Sequence, residues 1–185
     1  MALTVGTKAP DFKTNDQDGK EVTLSSLKGK KVVLYFYPRD MTPGCTAEAC
    51  SLRDNYKALQ KGGYEVLGIS SDNEKSHKKF IEKENLPFRL LADIDKSVHS
   101  KYGAWIEKSM YGRKYMGTAR ITYVINEAGV IDEVIEKVDT KNHAAQILGG
   151  GEIVRKGPAA VIKVVKATVK KVFNKVPARS AKKKK

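Results

Sequence analysis

Apolar positions along the chain fall into short blocks divided by turn residues, and two blocks lack alternation altogether. Lys30 to Pro38 holds about six apolar residues in succession, rich in β-branched and aromatic types. An uninterrupted run of that length predicts a central strand buried on both faces. Pro38 ends it, since proline has no N–H for the ladder. Tyr64 to Ser70 is a second such strand, and Pro87 to Asp93 a third candidate. Between them the period changes to helical. Ala47, Ala49, Leu52, Tyr56 and Leu59 predict one helix from Thr42 to Leu59, started by Thr42-Pro43 and stopped by Gly62-Gly63. Glu74 to Glu84 reads as a second helix, capped by Ser71-Asp72, with Phe80 and Ile81 inward. Asp95 to Tyr102 is a short helix ended by Gly103. Arg120 to Asn126 and Val130 to Val138 form a hairpin around Glu127-Ala128-Gly129, and Asn142 to Leu148 is a last helix. Near the start, Asp18-Gly19 marks a hairpin turn, while Trp105 to Met116 reads as loop.

Strands that alternate with helices predict an α/β domain: a mostly parallel sheet covered on both faces, with an antiparallel hairpin at one side. Gly149 to Gly151 close it, giving a domain over 1–151 and an appended segment over 152–185. Charge draws the same boundary. Residues 1–152 carry 23 Lys and Arg against 21 Asp and Glu, whereas residues 153–185 carry 12 Lys and Arg and no acid. The net charge of +14 therefore belongs to the end of the chain, and the domain is close to neutral. No apolar run approaches the roughly 20 residues of a membrane span. The opening MALTVGTKAPDF has neither a signal-peptide nor a presequence pattern, so a cytoplasmic location is expected. Two cysteines exclude a disulfide-rich secreted scaffold.

Those cysteines carry the candidate chemistry. Cys45 follows Thr42-Pro43-Gly44, in what reads as the first turn of a helix at the end of the central strand. Open α/β sheets place their sites at such strand ends. Unpaired backbone N–H groups and the positive end of the helix favour a thiolate there. A small buried hydrophobe is the competing role for a free cysteine. Cys50 lies five residues on. The pair lacks the two further ligands of a structural metal site, since His77, His99 and His143 are scattered and read as surface or helix-face residues. Four intervening residues also differ from the two of a thioredoxin-type pair. Five residues apart in a helix, the Cα atoms stand roughly 8–9 Å apart. A disulfide requires less than about 7 Å. The two can bridge only if the helix between them unwinds.

With these residues in place, the stretch YFYPRDMTPGCTAEAC resembles the peroxiredoxins: Pro38, then Thr42 four later, then Cys45 three after that. Cys50 is similar in position to the resolving cysteine of the Q-type branch, also called bacterioferritin comigratory protein. VGTKAPDF and MGTARITYVIN, with Arg120, look like further family segments. The resemblance spans about residues 3–150 and implies a thioredoxin-like fold, a central mixed β-sheet with helices on both faces. It implies thiol-dependent reduction of hydrogen peroxide and organic hydroperoxides without metal, haem or flavin. Carried over by position, Cys45 is the peroxidatic cysteine and Cys50 the resolving one. Thr42 supplies a hydroxyl to peroxide and sulfur, and Arg120 lowers the thiol pKa. Pro38, Pro43 and Gly44 shape the loop, and Glu48 holds the guanidinium. Thioredoxin, or glutaredoxin, is the implied reductant, and Q-type relatives suggest a monomer. Without the resemblance, Arg120 reads as a solvated arginine at a strand start, and Asp72 reads as a cap.

The basic segment has its own pattern. Val161, Val165, Val169 (or Val172) and Val176 recur at three or four residues with lysines between them, as in an amphipathic basic helix from about Pro158 to Lys175. Three readings stay open: a solvated tail, contact with nucleic acid and a nuclear setting, or contact with an anionic surface. A redox-sensing, nucleic-acid-associated protein is accordingly the second functional reading.

Overall fold

The computed structural model of the chain describes residues 2–110 and 112–150. The basic segment, with its expected amphipathic helix and the boundary at 151, lies outside the described residues. Nine strands and five α-helices occupy the rest. In chain order these are β1 Lys13–Asp16, β2 Glu21–Thr23, β3 Lys31–Phe36, α1 Pro43–Asp54, α2 Tyr56–Lys61, β4 Tyr64–Ser70, α3 Glu74–Glu84, β5 Arg89–Ala92, α4 Ser97–Lys101, β6 Trp105–Met110, β7 Arg113–Thr118, β8 Ile121–Ile125, β9 Ile131–Ile135 and α5 His143–Ala145. Seven strands make one mixed sheet in the order β2-β1-β5-β4-β3-β8-β9, parallel across β5-β4-β3 and antiparallel at its other pairings.

The continuous apolar run of β3 has the consequence its pattern implies. Val32, Leu34 and Phe36 enter one core layer, and Val33, Tyr35 and Tyr37 enter the other. The first layer packs Phe12, Val98 of α4 and Tyr102 against the sheet. The second packs Cys45, Ala49 and Leu52 of α1, Leu59 of α2, Phe80 of α3 and Ala144 of α5. Helices thus cover both faces, and the thioredoxin-like fold with a mixed sheet is the one the resemblance implied; the mostly parallel sheet expected from the strand–helix alternation is corrected, since only β5-β4 and β4-β3 pair parallel.

Four local expectations are corrected. The helix expected from Thr42 to Leu59 is two helices, divided at Asn55, whose side-chain Nδ2 donates to the Ser51 carbonyl. That bond competes with the backbone ladder, as asparagine commonly does inside helices. Trp105 to Met116 is not loop: β6 and β7 pair as a separate two-stranded ribbon, with Lys108 opposite Tyr115. The cap of α3 is Asn73, whose side chain accepts from the Ser76 N–H. Asp72 instead accepts from the Asp40 N–H and the Ser70 hydroxyl. Finally, His77, His99 and His143 are not on the surface; all three are fully buried, and each lies against a carboxylate, Asp40, Asp93 and Glu48 respectively.

One glycine is dictated by close approach. A Cβ at Gly68 of β4 would stand 2.7 Å from the Tyr35 ring and hydroxyl and 2.7 Å from Leu90. Its absence lets Tyr35 cross the neighbouring strand, stack on Tyr37 with ring centroids 5.4 Å apart and meet the His143 ring at 5.9 Å. Gly68→Ala should therefore destabilise the fold by about 1–3 kcal/mol through overpacking. Urea denaturation checks this: the midpoint should fall with the slope unchanged.

Candidate active site

The segment joining β3 to α1 is held by an Asp40-centred network. The Tyr37 hydroxyl donates to Asp40 Oδ1 at 2.7 Å, and the Ser76 hydroxyl to Oδ2 at 2.7 Å. His77 Nδ1 stands 2.9 Å from Oδ2, and its Nε2 faces the Leu91 carbonyl at 3.2 Å. Both ring nitrogens therefore face acceptor oxygens, which fixes the ring between α3 and β5. Burial alone would raise the Asp40 pKa, but His77, Ser76 and Tyr37 hold it below the usual carboxylate value. The Asp40 N–H is tied to Asp72 as well, so side chain and backbone are both fixed. This network precedes Met41, a non-glycine residue with φ 57°. A left-handed residue of this kind persists where its surroundings over-determine it, and here Asp40 supplies that constraint one residue earlier.

After Met41 the chain enters α1. Pro43 takes the first helical position, where its missing N–H costs nothing. Thr42 is the N-cap residue, but its hydroxyl makes no capping bond and donates instead to the Arg39 carbonyl at 3.1 Å. The hydroxyl oxygen keeps its lone pairs as acceptors. The first backbone bond of the helix runs from the Thr46 N–H to the Thr42 carbonyl, which leaves the N–H groups of Gly44 and Cys45 outside the i to i−4 ladder. Cys45 is in the first turn, only 1% exposed.

Arg120, immediately before β8, reaches across to this turn. Its Nη1 and Nη2 stand 3.7 and 3.6 Å from Cys45 Sγ. Nη1 also donates to Glu48 Oε2. Gly44 makes this approach feasible, because a Cβ there would stand 3.2 Å from Arg120 Nη2. The arginine is therefore not a solvated strand-start residue. Burial opposes its charge, but Glu48 and Cys45 outweigh that and raise its pKa.

Glu48 lies one turn beyond Cys45 and is fully buried. Burial raises its pKa to about 7 despite the opposing pull of Arg120. On its other side, His143 Nδ1 of α5 lies 3.3 Å from Glu48 Oε1, out of line for a hydrogen bond, and neither atom has a hydrogen-bond partner. The Thr122 hydroxyl meets His143 Nε2 at 2.9 Å. Burial, then the Arg120 charge, lower the His143 pKa to about 3, so this imidazole is neutral.

Cys50 is also in α1, part-buried, and both cysteines are free. Its Sγ donates to Glu84 Oε2 of α3 at 3.7 Å. Burial raises its pKa and Glu84 adds to this, together outweighing the opposing pull of the Arg53 charge, so it is a thiol. The structure therefore brings Cys45, Arg120 and Glu48 into contact, places Gly44 beneath the guanidinium, and leaves Cys50 on a separate face with a carboxylate of its own. Pro38 lies at the strand end and Pro43 on the exposed start of the helix.

Sequence reasoning missed two groups here. His143 carries no motif, and only the fold sets it behind Glu48. Lys108 is the second. Its Nζ donates to the Thr118 carbonyl. Burial and then Arg120 depress its pKa, while the Cys45 charge opposes them. Its inward position on β6 was hidden by reading that stretch as loop.

The AhpC/TSA family pattern matches residues 5–134. The chain belongs to the AhpC/TSA family. Within it, the chain is 46% identical over 146 residues to peroxiredoxin Bcp of Escherichia coli strain K12, covering 79% of this chain and 94% of that one. It is 42% identical over 148 residues to peroxiredoxin Bcp of Bacillus subtilis, covering 80% and 94%. Among solved structures, Xanthomonas campestris peroxiredoxin Q superposes with a TM-score of 0.71 at 33% identity, covering 75% of this chain and 87% of that one. This AhpC/TSA-family chain is thus of the Bcp, or peroxiredoxin Q, branch, as the residues around Cys45 suggested. The match in the family pattern ends before the basic segment.

The buried His143 yields a pH test. Its folded pKa of about 3 lies below the ordinary value of 6.5, so the native state resists a proton that the unfolded chain accepts. Its contribution is intact above about pH 6.5 and is lost as pH falls toward 3, at about 1.4 kcal/mol per pH unit. Glu48, raised to about 7, acts with the opposite sign between 4.5 and 7. His143→Asn removes only the first of these. The variant should be less stable than wild type at pH 7, and the deficit should shrink by pH 4.5. Urea titrations of both proteins at the two pH values check this; a deficit independent of pH would mean that the native and unfolded states protonate His143 alike.

Proposed function

We propose that Cys45 is the peroxidatic nucleophile of this thiol-dependent peroxidase and that Cys50 resolves it within the same chain. One observation carries the reading: a buried sulfur in the first turn of α1 with both terminal nitrogens of Arg120 within 3.7 Å. A peroxiredoxin takes a hydroperoxide substrate and a thiol reductant, and the site is read in those terms. The Cys45 sulfur attacks the near oxygen of the peroxide, the O–O bond breaks, and the far oxygen leaves as hydroxide or alkoxide and takes up a proton. Sulfur becomes sulfenic acid. Negative charge spreads over the O–O bond as it breaks. Arg120 and the N–H groups of Gly44 and Cys45 are already fixed where that charge develops, which is electrostatic preorganisation. Thr42 spends its proton on the Arg39 carbonyl, so its oxygen accepts the O–H of the incoming hydroperoxide. Pro43 and Pro38 shield the turn from water, and Glu48 fixes the guanidinium.

Resolution follows from helix geometry. The Cys50 sulfur attacks the Cys45 sulfur, the S–OH bond breaks, and hydroxide departs as water with the Cys50 proton. Residues five apart in a wound helix cannot make that bond, so α1 unwinds locally first. Both cysteines lie on one helix, so the disulfide closes within a monomer. An external dithiol of the thioredoxin type then reduces it by exchange; glutaredoxin chemistry also fits. Such recycling suits a reducing, cytoplasmic setting. Among the described residues no helix is long and apolar enough to cross a membrane. The second reading, a nucleic-acid-associated redox sensor in a nuclear setting, gains no support from the family or the site.

Cys45→Ser should abolish turnover. Cys50→Ser should consume about one equivalent of peroxide per chain and then stall with thioredoxin. Wild-type turnover in Cys50→Ser would remove the resolving role. Arg120→Ala should slow the first step by about 10²–10³-fold, the usual size for loss of one preorganised donor. Stopped-flow peroxide consumption measures it.

Hydrogen exchange tests the motion. Amides from Ala47 to Leu52 should exchange faster in the disulfide form than in the reduced form, while β3 stays protected in both. Equal protection from Ala47 to Leu52 would mean that the cysteines bridge without unwinding.

A further inference from the structure

Cys50 sits at a junction between two helices that the peroxide chemistry itself does not explain. Glu84 is the last residue of α3, and Asn85 after it turns the chain left-handed with φ 52°. The N–H groups of Asn85 and Leu86 both return to the Ile81 carbonyl. The Glu84 carbonyl is therefore one of the helix-end acceptors without a ladder partner. Arg53 of α1 supplies one: its Nη1 donates to the Glu84 carbonyl at 2.7 Å. A cation at a helix C-terminus is also favoured by the helix dipole. The same guanidinium is steadied through Nε by Asp54 Oδ1 at 2.9 Å. Three residues before Arg53, Cys50 Sγ donates to the Glu84 side chain at 3.7 Å. One residue of α3 thus grips α1 twice, through its carbonyl and through its carboxylate.

Both contacts are made only while α1 is wound. Cys50 and Arg53 stand three apart, on one face of the helix, and meet Glu84 together for that reason. Unwinding carries Cys50 away from Glu84 and loosens Arg53 from the α3 terminus. We propose that Glu84 and Arg53 form a latch that keeps α1 wound until Cys45 is oxidised, with the Cys50 S–H held on the Glu84 carboxylate, so that they set how fast the sulfenic acid is resolved. This rests on the reading of Cys50 as the resolving cysteine.

The chemistry gives the latch a purpose. A sulfenic acid has two fates here: disulfide formation with Cys50 and loss of water, or attack on a second peroxide to give sulfinic acid. The first needs α1 open and the second needs it closed. A latch that holds α1 closed slows the first and so admits the second. Glu84 and Arg53 are positioning residues in this account; neither touches peroxide.

The test uses the full chain. Glu84→Ala and Arg53→Ala are each treated with one equivalent of hydrogen peroxide, quenched with a thiol-alkylating agent over time, and scored by mass spectrometry for sulfenic acid, disulfide and sulfinic acid. Each should close the disulfide roughly three- to tenfold faster than wild type, the effect of losing one ordinary hydrogen bond. Each should also need several-fold more peroxide to reach sulfinic acid. The rate of the first step should be unchanged. Glu84→Gln keeps an acceptor for the S–H and the backbone carbonyl, so its closing rate should return toward wild type, which a general loosening of the fold would not produce. The two alanine variants approach the latch from opposite helices, so a folding defect in one leaves the other to decide. Unaltered closing rates and unaltered sulfinic-acid thresholds in folded Arg53→Ala and Glu84→Ala, with Cys50→Ser still stalling, would overturn the latch. If Cys50→Ser does not stall, the resolving role itself has failed and the latch falls with it.

Discussion

The site depends on one guanidinium shared between a sulfur and a buried carboxylate. Arg120 cannot sit at Cys45 without a partner, because a half-buried cation with nothing opposite it is costly. Glu48 is that partner, yet it is fully buried and its charge is opposed by its surroundings, which is why its pKa stands at about 7. Each group is tolerable only because of the other. Gly44 leaves the space in which they meet, and β8 delivers the arginine at the correct height beside β3. In the proposed reaction, a guanidinium so restrained loses little freedom when charge develops on the peroxide.

The same pairing reaches into the rest of the fold. His143 closes Glu48 from the far side, and its α5 neighbour Ala144 donates its N–H to the Ser51 hydroxyl oxygen at 3.3 Å. Helix α5 is thus bound to α1 through a buried acid and a hydroxyl. On the near side, the Asp40 network fixes the turn from which α1 starts. Helix α1 is held at its beginning by α3 through Asp40, His77 and Ser76, and near its end by α3 again through Arg53 and Glu84. Between these points it is held by Glu48 and Ser51. Three of these ties end on carboxylates or carbonyls whose value depends on geometry.

Much of this architecture was legible in the sequence, for a physical reason. Strands β3 and β4 are buried on both faces, and burial on both faces leaves no alternation to misread. The Cys45 turn was legible because proline, glycine and the helix start occur together. The β6–β7 ribbon was not legible because most of β7 faces water, with Arg113 to Met116 all exposed, so no core demanded a pattern there. The histidines were misread for a related reason. Each is buried beside a carboxylate that no local period predicts; Asp40 and His77 lie 37 residues apart. Periodicity reports which face is apolar, and it has no means of reporting a buried histidine set against a carboxylate. Arg120 is the intermediate case. Its strand was visible, but its partner was identified by resemblance rather than by any spacing.

A helix that must both hold a nucleophile and release it, as the proposed cycle asks of α1, needs weak apolar docking, and α1 has it. Its buried residues are Cys45, Glu48, Ala49, Ser51 and Leu52. Only Leu52 is a large aliphatic, worth roughly 1.5–3 kcal/mol of burial. A helix anchored by several such residues would open too rarely to resolve a sulfenic acid. In place of apolar area, α1 uses polar contacts that fail together once the backbone leaves helical geometry. Glu48 adds to the balance, since unwinding returns it to water and removes the burial that raised its pKa. Part of the cost of opening is offset by that release. The residue that makes the closed site work therefore also lowers the barrier to leaving it, and the composition of α1, small and polar where most core helices are large and apolar, follows from this double demand.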